Sequence, residues 1–557
     1  MKNKFMATAA VVAILAATGA ARADEISQIK AQSIALKKQN AALEARLNKL
    51  EKQQAKQEKK IDAKVAAAPA GAPAESFMGM VTKGPLEVIT DEGPLCWHGI
   101  CAFGTIDAGV SYAQHGLPIN DKLYLGDQVL NSKARGSYFG ISPSNMSYSV
   151  LGIKGETEIL PGLSGVFWAS TNVNPQSGQL ANAPGSVVEQ NGQSVFNYSN
   201  NGDGSRGGQA FNDQLYVGLS SPTWGLLTAG RNRSLATDLV GAYDATGGAA
   251  AFSLMGYSGT YVSGQAYTDN GRWDDSLKYK VSYGPARFAA MYKFRDGNGG
   301  SNNAGGILPT KNDAGQIGGG LSYMGLDVDG LVGYYHQAST VSALSAAQLT
   351  ASQSSYTNNV FGSAAVLGPV GSLSSANLAA TSVADATGGA IGAKYTWNQF
   401  KFFAGWSHII LHNPANPVGV GANNDQGGYV LNVVANNAYF RAKLLDTEWV
   451  GVKYAYDAKT DIIAEYEHVN QNAYGNAAAL ATCGRATINP ATGSATGLRS
   501  SGCSGSIDSG SVVVDYHFTK RFDIYGGVFF EHLNGGLASA YFYTSQFSPT
   551  VGARFTF

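Results

Sequence analysis

The chain has 557 residues, with 39 Lys/Arg balancing 39 Asp/Glu, 44% hydrophobic residues and only 14% charged ones. Zero formal charge means no overall basic excess, and no nucleic-acid partner is expected. The absence of 18 or more consecutive apolar residues after the N-terminus argues against a transmembrane helix. The 70 Gly, 28 Tyr and 23 Phe suit many short strands joined by turns, so all-β is the fold class to test.

Lys2 and Lys4 precede an apolar run from Met6 to Ala17, and Ala21-Arg22-Ala23 is an A-x-A cleavage site. Residues 1–23 therefore read as a signal peptide, with a hydrophobic region too short to span a bilayer. From 24 to 65 the character changes. Ile26, Leu47 and Ile61 fall at heptad position a and Ile29, Leu36, Leu43 and Leu50 at d, interrupted at a by Ser33, Asn40 and Gln54. This predicts a marginally stable, self-associating coiled coil on the periplasmic side; a charged, disordered spacer is the alternative. Its ten Lys/Arg against six Asp/Glu make it basic, which admits contact with a polyanionic cell-wall polymer. Residues 66–100, opening with Pro69 and Pro73, read as a linker. Four cysteines allow three pairings; local bridging, Cys96 to Cys101 and Cys483 to Cys503, is the simplest, and the spacing is wrong for a metal or haem site.

From 101 to 557, sixteen candidate strands begin near Cys101, Asn145, Gly162, Asn212, Trp224, Arg272, Ala286, Gly315, Leu326, Ala386, Gln399, Leu445, Thr460, Ser509, Arg521 and Gln546. Connections alternate. Tight joints occur at Leu160-Pro161, Pro222-Thr223, Gly284-Pro285, Met324-Gly325, Asn398, Ala458-Lys459 and Thr519-Lys520, and every other connection is long. A transmembrane β-barrel with an even strand number, short turns on one side and long loops on the other requires this alternation. Within strands the period is two: Leu277, Tyr279, Val281 and Tyr283 alternate with Lys278, Lys280 and Ser282, and Val512, Val514, Tyr516 and Phe518 share a face opposite Asp515 and His517. The last strand runs to Phe557, with Phe555 and Phe557 on one face and Arg554 and Thr556 on the other. The fold expected is an all-β, 16-stranded antiparallel transmembrane β-barrel with an N-terminal α-helical coiled-coil extension. Sixteen strands enclose more space than side chains fill, so a water-filled lumen follows.

Several segments resemble the trimeric general porins of Gram-negative outer membranes. Gly104-Thr-Ile-Asp-Ala-Gly-Val-Ser-Tyr112 is similar to the family's first strand and Leu151-Gly-Ile-Lys-Gly-Glu-Thr-Glu-Ile-Leu-Pro-Gly-Leu163 to its second hairpin. Phe211 to Leu219 with Gly225 to Arg231 is similar to the fourth and fifth strands, Ser234 to Gly248 to the start of the third loop, and Asp274 to Tyr279 to the strand after it. The resemblance implies a homotrimer in outer-membrane lipid, a third loop (234–271) folded into the barrel, and passive diffusion of small hydrophilic solutes and ions without a cofactor. It also implies acidic loop residues facing basic wall residues across a constriction, and the positions that match are Asp238 and Asp244 against Arg231 and Arg233, with Arg135 or Lys154. The terminal aromatic, Phe557, is implied as an assembly signal. The long loops, the cysteines and the coiled coil depart from the family pattern.

Catalysis finds little support. There is no G-x-S-x-G and no H-E-x-x-H, and His408 and His412, four apart, sit in a β context. A tether from outer membrane to cell wall through residues 24–65 is a third reading, compatible with a pore. Residues 66–557 carry 26 Lys/Arg and 33 Asp/Glu, a formal charge of −7 that predicts a mild cation preference.

Overall fold

The computed structural model describes residues 95–116, 130, 134, 136–178, 180, 210–256, 261–263, 265, 271–295, 311–343, 378–419, 430–483, 487–489, 494–496, 500–539 and 541–557. The signal peptide, the coiled coil, most of the linker and Arg135 lie outside these residues. Beside a small separate hairpin of Thr487–Asn489 with Ser494–Thr496, one closed sheet dominates the described residues. Its sixteen barrel strands are β1 (Ile100–Ala113), β2 (Tyr138–Pro143 continued by Val150–Leu160), β3 (Leu163–Asn172), β4 (Gln214–Ser221), β5 (Gly225–Arg233), β6 (Arg272–Tyr283), β7 (Ala286–Lys293) and β8 (Ala314–Tyr323), then β9 (Leu326–Ala343), β10 (Leu378–Trp397), β11 (Phe400–His412), β12 (Lys443–Ala455), β13 (Thr460–Gln471), β14 (Gly505–His517), β15 (Phe522–Gly535) and β16 (Ser545–Thr556). Each pairs antiparallel with its sequence neighbours. The seam closes where β1 meets β16, Thr105 opposite Thr556 through Ser111 opposite Thr550. Gly104 and Phe557 exchange both backbone hydrogen bonds, at 2.9 and 3.0 Å, so the terminal residue is part of the seam. Closure leaves no free strand edge, which a bilayer demands.

The tight joints fall where the sequence places them, and all seven lie at one end of the barrel. Aromatic side chains collect beside them: Trp224, Tyr283, Tyr323, Trp397, Tyr456 and Phe518 are all exposed there, as expected of rings at a membrane–water boundary. The period-two reading holds. Leu277 and Tyr283, and Val512 and Val514, are exposed on the outer face, while Lys278 and Asp515 are buried on the inner one.

Most strands begin within two residues of their expected starts, and the exceptions have causes. The second strand starts at Tyr138, not Asn145, because Ser144 to Ser149 loop out of it. Asp107 of β1 holds that excursion, its carboxylate accepting from the backbone N–H groups of Asn145, Met146 and Ser147 at 2.8 to 3.2 Å. The tenth strand starts at Leu378 rather than Ala386, since β9 and β10 continue pairing to Ala343 and Ala379. Val430–Ala435 adds a parallel pairing to that extension. The fourteenth starts at Gly505, four residues early. Both local disulfides are formed: Cys96–Cys101 staples the hairpin of Leu95–Trp97 onto β1, and Cys483–Cys503 closes a loop between β13 and β14.

Candidate functional site: the loop inside the barrel

The inner wall is not uniformly polar. On β12 to β15, Leu445, Trp449, Ile463, Val469, Ile507, Val513, Phe529 and Leu533 are buried on the face away from lipid. Apolar side chains on the lumen side need a cover, and the connection between β5 and β6 supplies it. The third loop leaves β5 at Ser234, whose hydroxyl caps a helix, α1 (Leu235–Tyr243), by accepting from the Thr237 N–H. Its neck is tied by the Ser234 N–H donating to the Gly271 carbonyl at 3.0 Å. Leu235, Ala236, Leu239, Val240 and Tyr243 form one buried face of α1. After it, Phe252, Leu254 and Met255 join the same apolar cluster as Trp449 and Phe529.

Polar contacts fix the loop to wall strands around the lumen. The Leu235 N–H donates to Gln316 on β8 at 2.7 Å, and the Tyr243 hydroxyl donates to Asp329 on β9 at 2.6 Å. Trp449 Nε1 on β12 donates to the Tyr243 carbonyl at 2.9 Å. The Leu254 N–H reaches Glu467 on β13 at 2.9 Å, and the Ala251 N–H reaches the Asn145 carbonyl at 3.0 Å. Two wall glycines let the loop approach: a Cβ at Gly392 would lie 2.6 Å from Tyr243 Cβ, and one at Gly451 2.5 Å from Ala245 Cβ.

The charges around this loop each have near partners. Asp238 meets Lys278 and Lys280, alternate inward residues of β6, at 2.7 and 2.5 Å. Burial opposes its ionisation, but the two lysines outweigh that and hold the carboxyl below its ordinary value. Asp244 is turned toward the wall, bonded to Thr246 and Ser253 beside Glu465 and Glu467. Arg233 pairs with Asp213 at 3.0 Å, and the buried Arg272 meets the same carboxylate at 2.7 Å. Although burial would raise it, these arginines keep Asp213 well below the usual carboxylate range. Arg231 is buried against Asp274 and the Asn212 carbonyl. Lys154 lies over the rings of Phe103 and Trp168, at 5.6 and 5.3 Å. Asp238 is thus joined to Lys278 and Lys280, whereas Arg231 is joined to Asp274 and Arg233 to Asp213.

Other inward charges escaped the sequence reading. Arg287 on β7 pairs with Asp329 at 3.0 Å, and Lys394 on β10 stands over the Tyr243 ring at 5.3 Å. Lys278 and Lys280 did carry a signal, since the period of β6 had already put them on the inner face. What the sequence could not give was a partner 40 positions away on another element.

The family model for Gram-negative porins matches residues 63–535. The chain belongs to that family. It is therefore an outer-membrane channel for passive diffusion, a family of channels rather than enzymes, and the sixteen-stranded barrel is its channel wall. No curated protein matches the chain. Among solved structures, an anion-selective porin from Comamonas acidovorans is similar at 15% identity and a TM-score of 0.48, covering 82% of this chain and 99% of that one. The outer membrane channel DcaP of Acinetobacter baumannii is similar at 11% identity and a TM-score of 0.44, covering 82% and 97%.

Proposed function

We propose that this porin passes small hydrophilic solutes and ions through a lumen narrowed by the loop from Ser234 to Gly271, and that Asp238 with Lys278 and Lys280 forms one charged side of the constriction. The observation that carries the reading is the position of α1, packed inside the barrel chiefly against β9 and β10 instead of at a rim. Arg287, Asp329 and Lys394, around Tyr243, are further charges for a solute to meet. Opposed charges in a narrow passage produce a transverse field that orients dipolar solutes and sets ion preference. Arg231, Arg233 and Lys154 belong to the wall before the loop, and Arg135 to the first long connection. The working unit is a homotrimer in outer-membrane lipid; it carries out no reaction and needs no cofactor, and Phe557 serves as the assembly signal.

Single-channel recording on refolded protein in a planar bilayer tests the reading. Replacing residues 235–270 with a short Gly/Ser linker should raise conductance severalfold while the barrel still assembles. An unchanged conductance would place the limiting constriction elsewhere.

Residues 24–65 act as a periplasmic coiled coil that supports the trimer without creating it, and their basic character favours a tether to the cell wall. Deleting them should leave a conducting trimer of lower stability that no longer sediments with cell-wall polymer. Obligate monomers after deletion would assign the trimer contacts to the coil.

A further inference from the structure

Asp244, Glu465 and Glu467 place three carboxylates where the inward loop meets β13, with one oxygen of each within 4.8 Å of the others. All are inaccessible, at 2%, 6% and 1% exposure. Among the described residues no Lys, Arg or His forms an ion pair with any of them. Three buried acids without a cation are costly to leave ionised.

The hydrogen bonds show what is missing. Asp244 Oδ1 accepts from the Thr246 N–H and hydroxyl at 2.7 and 2.6 Å. Glu467 Oε2 accepts from the Leu254 N–H at 2.9 Å and the Ser509 hydroxyl at 2.7 Å. The Ser253 oxygen lies 2.5 Å from Asp244 Oδ2 and 2.7 Å from Glu467 Oε1, yet has one proton for the two and already accepts from the Met255 N–H. Glu465 Oε1 takes a long bond from the Ala245 N–H at 3.3 Å, while Oε2 is buried and receives none. The donors are unevenly placed, two on Asp244 Oδ1 and two on Glu467 Oε2, and the oxygen left with none belongs to Glu465, a side chain more than nine-tenths buried in the same cluster as Asp244.

We propose that this cluster binds a divalent cation, calcium in preference to magnesium, and that the ion clamps the third loop to the barrel wall. The donor set is all oxygen, as a hard cation requires. Magnesium gives up its water reluctantly and is seldom held by an all-protein cage, so a site this buried, offering protein oxygens, favours calcium. The Ser253 and Thr246 hydroxyls are further oxygens at the site. The clamp joins Asp244, at the C-terminal end of α1, to two alternate inward residues of β13, so it acts on the element that narrows the channel.

The full-length porin, refolded without lipopolysaccharide and stripped with a chelator, is the material for the test. Terbium is the probe, since Trp449 donates to the Tyr243 carbonyl beside Asp244 and is placed to sensitise its luminescence. Sensitised emission should appear, calcium should displace terbium at lower concentration than magnesium does, and Glu465→Gln with Glu467→Gln should weaken terbium binding at least tenfold. Calcium should also raise the melting temperature of the wild-type trimer but not that of the double variant. If the double variant does not fold, calorimetric titration of wild type with calcium, expected at one site per chain, decides alone. No sensitised emission, or a wild-type melting temperature that ignores calcium and rises only on acidification, would overturn the proposal: the cluster would then hold protons alone.

Discussion

Replacing Asp238 with Asn changes the charge of the loop–β6 cluster without emptying space. Asp238 between Lys278 and Lys280 gives a local formal charge of +1, and the Asn variant raises it to +2. For an ion passing ~6 Å away in water, one added charge is worth about 0.7 kcal/mol, and screening in ~0.1 M salt leaves about 0.4 kcal/mol. That is roughly a twofold effect on each sign of ion and nearly fourfold on the anion-to-cation permeability ratio, with low-dielectric walls increasing it. The reversal potential under a salt gradient, measured in a planar bilayer, should move toward anion selectivity. Lys280→Gln, at the partner that is 45% exposed, should move it the opposite way by a similar amount. Because the lysines hold the Asp238 carboxyl below its ordinary value, the wild-type contribution should persist unchanged from neutral pH to about pH 5. If both variants keep the wild-type reversal potential, ions do not pass this cluster and the passage lies on the other side of the loop.

A Val at Gly451 or Gly392 would drive its Cβ to 2.5 or 2.6 Å from the loop, so either variant should push the loop off the wall and lower conductance; unchanged conductance would mean that the loop does not rest there in the working channel. Removing Phe557 deletes its two backbone bonds to Gly104 at the seam and should cut outer-membrane assembly more than the conductance of the molecules that do insert, as quantified by folded protein in membranes against single-channel current. Asp213→Asn breaks a buried pair with Arg272 and should cost about 3–5 kcal/mol at pH 7. The Asp213 carboxyl lies well below its unfolded value, so this stability is present above the unfolded pKa and fades as pH falls through the folded one. Thermal melts of the two proteins should therefore converge in strong acid, and a difference that persists there would point to lost packing.

The barrel was legible because its determinants are local. Alternation inside a strand, as in Leu277 to Tyr283, follows from the pleat, and a tight joint such as Gly284-Pro285 needs only its own turn chemistry. Failures came where tertiary contact overrode the local pattern. Ser144 to Ser149 can leave the second strand because Asp107, about forty residues earlier, satisfies their backbone N–H groups; no residue inside the segment announces that. Likewise the pairing of β9 with β10 beyond Tyr335 depends on two segments finding each other across a long connection.

The site was harder to read for a related reason. That Asp238 and Asp244 lie on the inward loop could be taken from resemblance, but a six-residue step along the loop sends one toward Lys278 and Lys280 and the other toward Glu465 and Glu467. Helical phase decides between them: Asp238 lies off the buried face of α1, whereas Asp244 sits at its C-terminal cap, one residue past the buried Tyr243. The signal that could have separated them was on the wall. In β13, Glu465 and Glu467 occupy inward positions flanked by the apolar Ile463 and Val469, a pattern unsuited to a plain wet lumen, because acids in open water have no need of apolar neighbours that shed it. Such a stretch marks where something covers the wall. The cover must bring donors or a counter-charge for the acids, and Asp244 arrives instead as a third acid. A sequence-level search for inward carboxylates at alternate positions within an apolar stretch would have found the anchor point of the loop before its path was known.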